Sequence, residues 1–139
     1  MSLVQVRTEP LSVDEHLASV TSPAAGAVAT FVGQVRDHDP AAPGPVVSLE
    51  YTAHPNALVI LRRIAARSAS LDGVIGVALS HRIGLLAVGE AALVAAVATA
   101  HRALAFEVCR ALVEAVKAEL PVWKRENLAD GSHVWVGSA

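Results

Sequence analysis

Two lysines, Lys117 and Lys124, stand seven residues apart on either side of Pro121, and chemistry is most readily built from this pair. Pro121 cannot continue a helix and pushes Leu120 towards an extended backbone. Lys117 therefore falls in the last turn of an arriving helix, and Lys124 on the segment that leaves. A chain that turns between them brings both ammonium groups to one cleft. Trp123 offers Lys124 an apolar neighbour that would exclude water, the environment in which a lysine gives up its proton more easily. The plainer reading is electrostatic: a lysine in a final helical turn complements the macrodipole and stays solvated.

Composition limits what surrounds the pair. A chain of 139 residues fits one domain, spanning 1–139, and is long enough for a real core. A hydrophobic content of 53% with 17% charge excludes disorder, while 4% aromatics means that alanine and valine do most of the packing. The net charge of -2 gives no overall attraction to nucleic acid or to an anionic membrane, so an anion site must be a local cluster. No uninterrupted apolar run is long enough to span a bilayer, and Met1-Ser-Leu-Val-Gln-Val-Arg7 is no signal peptide. A cytoplasmic protein is expected. Cys109 stands alone, which excludes an internal disulfide, a CxxC pair and a cysteine-based metal site. Any sulfur this chain handles comes from elsewhere.

The elements that must position the lysines follow from periodicity. Leu3 to Arg7 reads as a short strand. Ser12 to Glu15 has capping-box spacing ahead of a helix over about Val13 to Val20. Gly26 to Arg36 reads as a strand buried on both faces, with a bulge or close approach at Gly33. A loop rich in Pro, Asp and Gly runs from Asp37 to Pro45. Val46 to Ala53 alternates, with Val47, Leu49, Tyr51 and Ala53 pointing one way, and is expected antiparallel to the strand before it. Leu58, Leu61, Ile64 and Ala65 then recur at helical spacing after Pro55. Val74 to Ser80, Leu85 to Val88 and Ala92 to Thr99 read as strands. From Arg102 to Glu119, Leu104, Val108, Leu112 and Ala115 stripe one side of a helix. Glu107, Arg110, Glu114 and Lys117 line the other, which favours a solvated Lys117. Val136 ends a last strand. The fold class expected is α+β, with a mixed or antiparallel sheet.

Five pieces, in this order, resemble the large (catalytic) subunit of molybdopterin synthase. They are Phe31-Val-Gly-Gln-Val-Arg36; Leu49-Glu-Tyr51; His81-Arg-Ile-Gly84 with Val88-Gly-Glu90; His101-Arg-Ala-Leu-Ala-Phe106; and Lys117-Ala-Glu-Leu-Pro-Val-Trp-Lys-Arg-Glu126. No single piece is decisive, but the ordered set with its lysine spacing is highly specific. The resemblance implies an α/β hammerhead-like fold and a homodimer at the centre of a heterotetramer. It implies a small ubiquitin-like sulfur carrier as partner, its C-terminal Gly-Gly thiocarboxylate inserted into the large subunit. The reaction implied adds two sulfurs to cyclic pyranopterin monophosphate, giving the dithiolene of molybdopterin, with no cofactor and no metal held by this chain.

By the same resemblance Lys117 and Lys124 are the catalytic lysines. Gln34, Val35, Arg36, His101, Arg102, Lys117, Lys124, Arg125 and Glu126 are implied to bind the substrate. At His101 and Arg102 the helix N-terminal amides would also favour an anion. His81 and Arg82 match family positions and are read as structural. Thr52, His54 and Ala57 depart from the family's pattern, at a helix entry and away from the lysines, where packing near the carrier-tail channel would differ.

The charges of this chain fit the reaction that the resemblance implies. A thiocarboxylate and a cyclic phosphate are both anions, and bringing them together is unfavourable unless cations offset the repulsion. Arg36, Arg102, Lys117, Lys124 and Arg125 supply that offset in a slightly acidic chain. A lysine can shuttle protons as sulfur attacks and phosphate leaves. Two other classes fit the same residues. A lyase forming a Schiff base at Lys124 would be trapped by borohydride, whereas a docking module for a ubiquitin-like tail would bind the carrier and turn nothing over. One relationship is awkward: about 15 residues of helix separate Arg102 from Lys117, roughly 22 Å at 1.5 Å per residue, too far for one compact pterin phosphate. Either the pocket uses only one end of the helix, or the His101-Arg102 end serves the site of a second subunit. The homodimer that the resemblance implies makes a site completed across the dimer interface the expectation.

Overall fold

The computed structural model describes residues 3–137. Met1 and Ser2, which open the stretch read as no signal peptide, lie outside them. Chain order is β1 (Val4–Arg7), α1 (Val13–Ser19), β2 (Ala27–Gln34), β3 (Val46–Ala53), α2 (Ala57–Ala69), β4 (Val74–Arg82), β5 (Gly84–Ala87), β6 (Ala91–Thr99), α3 (Arg102–Glu119), β7 (Val122–Leu128) and β8 (His133–Gly137). The fold is α+β, as the alternation of periods implies. Among the described residues no helix is long and apolar enough to cross a membrane.

The strands form two sheets. One runs β1-β4-β6-β2, with β1 parallel to β4 and the other pairs antiparallel. The other runs β5-β3-β7-β8 and is antiparallel throughout. In the first sheet β6 is buried from Ala92 to Thr99. Its alternate alanines let helices approach on both faces. Ala96 and Ala98 pack with Val20 behind α1, whereas Ala95 and Val97 join the main core with Leu112 and Val116 of α3. Reading Ala92 to Thr99 as a strand despite its alanines, which prefer helix, is thus correct, because tertiary packing overrides propensity.

Two expectations about β2 and β3 are overturned. β2 is an edge strand with Val28 44% exposed, so it is not buried on both faces. Nor do β2 and β3 pair: the loop after β2 carries the chain across to the second sheet. Val35 clamps the start of that crossing, donating to the Glu90 carbonyl and accepting from the Gly89 amide, at 3.0 and 2.7 Å. Gly89 holds a positive φ of 90°, which an L side chain adopts only with strain. The expected irregularity at Gly33 is present, as a register shift between Gly33 and Gln34. A second shift, between Val46 and Ser48, breaks the alternation of β3. Val47 therefore faces outward while Leu49 and Tyr51 face in.

Helix α3 ends where Pro121 requires. Leu120 is extended (φ -73°, ψ 123°), and its amide still bonds the Val116 carbonyl at 2.9 Å. The Pro121 carbonyl accepts from His54, at 3.0 Å, so the turn is tied to the end of β3. The chain then becomes β7, a strand the sequence reading leaves unassigned.

Candidate active site

Strand β7 sorts its side chains by parity. Val122, Lys124, Glu126 and Leu128 face the interior, whereas Trp123 and Arg125 face out. Lys124 sits opposite Tyr51 in the ladder with β3. Lys117, in the last turn of α3, reaches the same place from the helical side. The two lysines line one cavity of about 230 Å³ at the junction of the two sheets. Gln34, Val35 and Arg36 line it from the end of β2, His38 and Asp39 from the loop beyond, and Glu126 from β7. Phe31, Leu49, Leu93 and Ala92 supply its apolar wall.

Of the residues implied to bind substrate, six therefore meet here: Gln34, Val35, Arg36, Lys117, Lys124 and Glu126. Three do not. Arg125 is turned to the outer face by the parity of β7, where it pairs with Glu50 at 3.0 Å and lies 5.9 Å over the Trp135 ring. His101 and Arg102 are exposed at the far end of α3, with the His101 carbonyl accepting the Thr99 hydroxyl at 2.6 Å. Trp123 is 43% exposed on the outer face, so it does not shield Lys124 from water. The inward neighbours of Lys124 are Tyr51 and Glu126.

Two carboxyls temper the cations. Asp39 is held below the usual range, first by the Ala41 amide at 2.9 Å and then by hydrogen bonding with Glu126. Glu126 is 3% exposed, and among the described residues its Oε1 has no hydrogen-bond partner. Burial pushes its pKa up, and Asp39 pushes the same way, while Lys124 and Arg36 pull against both. A proton in this corner therefore prefers Glu126 to Asp39. Burial, and secondarily Glu126, also raises the Tyr51 hydroxyl above its ordinary value.

The His-Arg-Ile-Gly and Val-Gly-Glu pieces act as a brace behind the cavity. Arg82 ion-pairs with Glu90 at 2.8 Å and donates to the Thr8 carbonyl at 3.1 Å. Glu90 is held low by the Ala87 amide and then by Arg82. This fits the structural reading of Arg82. His81 differs: it is buried and yet lines the cavity. Asp39, Tyr51 and His81 are cavity residues that sequence reasoning did not assign to the site. The inward alternation of Leu49 and Tyr51 was the available signal for Tyr51.

The α+β chain thus carries, between its two sheets, a cleft in which cations and carboxyls are mixed. The model of the family described as MoaE protein matches residues 6–119. Molybdopterin synthase catalytic subunit 1 of Mycobacterium tuberculosis is 42% identical over 130 residues, covering 93% of this chain and 86% of that protein. The molybdopterin synthase catalytic subunit of a Nostoc species is 41% identical over 129 residues, covering 91% and 77%. Molybdopterin synthase from Staphylococcus aureus, solved by X-ray crystallography, superposes with a TM-score of 0.86 at 29% identity, covering 95% of each chain. The chain belongs to the MoaE family, whose members named here are molybdopterin synthase catalytic subunits.

Proposed function

We propose that this chain transfers sulfur from the C-terminal thiocarboxylate of a small ubiquitin-like carrier to cyclic pyranopterin monophosphate, forming the dithiolene of molybdopterin. The observation that carries the reading is the convergence of Lys117, Lys124 and Arg36, from three different elements, on one cavity. Such a cluster offsets the repulsion between a thiocarboxylate and a phosphate where a net-acidic surface would not. Arg36 is exposed at the rim and suits the phosphate, as a fixed cation with a planar fork of donors. Lys124, held by strand pairing on both sides, is the better placed to move a proton at the reacting carbon. Lys117 approaches from a flexible stem and completes the site. Glu126, with a raised affinity for its proton and an unpartnered oxygen, contacts the substrate's polar edge. Membership of the family supports the same reaction, and we place it in the cytoplasm.

The carrier's extended tail is the natural occupant of the channel between the sheets, recognised through its backbone. His101 and Arg102 lie too far from the cavity of their own chain to share one ligand with Lys117. We assign them to the cavity of a second copy, in a homodimer that carries one small subunit on each side. The direct test is reconstitution: purified chain, thiocarboxylated carrier and pyranopterin precursor, read as dithiolene product. Product is expected with the full carrier and none with a carrier lacking its last two residues, which should also bind far more weakly. Carrier binding without product would reduce the chain to a docking module, and a borohydride-trapped adduct at Lys124 would make it a lyase.

A further inference from the structure

The sulfur-transfer reading leaves one buried group at the cavity without a task. His81 is 1% exposed and lines the cavity together with Lys117. Its Nδ1 lies 2.7 Å from the Arg82 carbonyl oxygen. A carbonyl only accepts, so Nδ1 carries the proton. Burial lowers the ring's pKa, and with the opposing pull of the Arg82 carbonyl and a smaller push from the Lys117 charge it falls to about 4. The imidazole is therefore neutral at physiological pH, and Nε2 keeps a bare lone pair. Tyr51 packs edge-on, with centroids 4.9 Å apart and planes at 82°, which fixes the ring in place. Among the described residues only Nδ1 has a hydrogen-bond partner.

Lys117 has the opposite problem. It is exposed at the end of α3, and among the described residues it forms no ion pair. Its ammonium offers three donors on a four-carbon stem whose rotamers are costly to fix. We infer that His81 is a positioning residue for Lys117, its uncharged Nε2 receiving an ammonium N–H as the cavity fills and holding the amine inward. The inference rests on Lys117 being a reacting group, as proposed above. An uncharged acceptor suits the task for a stated reason. A carboxylate in its place would pair with the lysine and cancel the charge that the anionic reactants need. A protonated ring would repel it.

Two variants separate this role from packing. His81→Asn keeps a donor for the Arg82 carbonyl but is too short to present an acceptor to the cavity. His81→Gln places an amide oxygen near the Nε2 position. Residue-resolved labelling with an amine-selective reagent, read by mass spectrometry on the chain with the unthiolated carrier bound in its cavity, reports how freely Lys117 reaches solvent and needs no turnover. Lys117 should label several-fold faster in His81→Asn than in wild type, and close to wild type in His81→Gln. In the reconstituted reaction, kcat should fall about a hundredfold in His81→Asn with little change in KM for the carrier, and recover in large part in His81→Gln. Equal labelling in folded wild type and His81→Asn overturns the inference, as does a His81→Gln chain that labels as fast as His81→Asn. Should His81→Asn fail to fold, nitrogen NMR of histidine-labelled wild type decides: a bare Nε2 supports the role and a protonated Nε2 ends it. A wild type that labels as expected but makes no dithiolene would refute the sulfur-transfer reading and leave the His81–Lys117 relationship standing.

Discussion

Lys124 stands directly across from Tyr51 in the β3–β7 ladder, and both side chains face the cavity that Lys117 enters from the end of α3. The two lysines are therefore supported differently. One is gripped by strands on either side, and the other hangs from a helix terminus.

That difference predicts graded losses. Lys124→Ala should lower turnover at least about a hundredfold, the usual scale for losing a positioned acid or base, with melting temperature unchanged. Lys117→Ala should also be severe. Steady-state kinetics of the reconstituted enzyme checks both, and a variant within a few-fold of wild type would return that lysine to the solvated role.

Arg125→Ala should behave as a surface substitution. Its partner Glu50 is as open to solvent as Arg125 itself, so the pair contributes only about 0.2–1 kcal/mol. Turnover should stay within a few-fold of wild type. A hundredfold loss would mean that the outer face of β7 touches a reactant, contrary to the placement of Arg125.

The distance between the ends of α3 predicts complementation. Arg102→Ala and Lys124→Ala chains should each be nearly inactive, and mixing them should restore activity, because one of the two cavities in the mixed dimer is then intact. If subunits demonstrably exchange and no activity returns, both residues serve the same subunit's cavity.

His81 predicts a pH dependence of stability. Its folded pKa of about 4 lies below the ordinary 6.5, so between those values the unfolded chain binds a proton that the folded chain refuses. Stability should therefore drop as pH falls from about 6.5 to about 4, by up to roughly 3 kcal/mol from this ring. His81→Gln removes the contribution. Urea titrations across that window should show a steeper loss for wild type than for the variant, and parallel losses would mean that the ring is not held neutral.

How far the sequence could be read depended on which property was asked for. The bounds of α3, Arg102 to Glu119, follow from a helix start after His101 and a stop before Pro121, and the structure reproduces them. The Ser12 cap is also present, with its hydroxyl accepting the Glu15 amide at 3.1 Å. Strand β7 was obscured by its own chemistry, because Lys124, Arg125 and Glu126 interrupt the apolar signal that marks a strand. Without β7 there was no parity, and so nothing to separate the inward Lys124 and Glu126 from the outward Trp123 and Arg125. The pairing of β2 with β3 failed for a different reason: neighbours in sequence need not be neighbours in a sheet, and here the chain, clamped at Val35, crosses to the other sheet. His81 was visible as a residue, but its exposure to a cavity depends on Tyr51 from the other sheet.

The passage from Lys117 through the Pro121 turn into β7 also makes the site sensitive to counting. In a paired strand each added or removed residue turns every later side chain over, so what the segment transmits is odd or even, not length. Losing one residue between Pro121 and Lys124 would swing Lys124 and Glu126 to the solvent side and bring Arg125 into the cavity. A cation would remain there, but without Glu126 beside it and with no stem suited to giving up a proton. Adding two residues to the native segment would keep the facing at the expense of register with Tyr51. The spacing of the lysines is thus a matter of which side of a strand each is dealt to, and one-residue indels should be far less tolerated here than in the Asp37 to Pro45 loop, where nothing alternates.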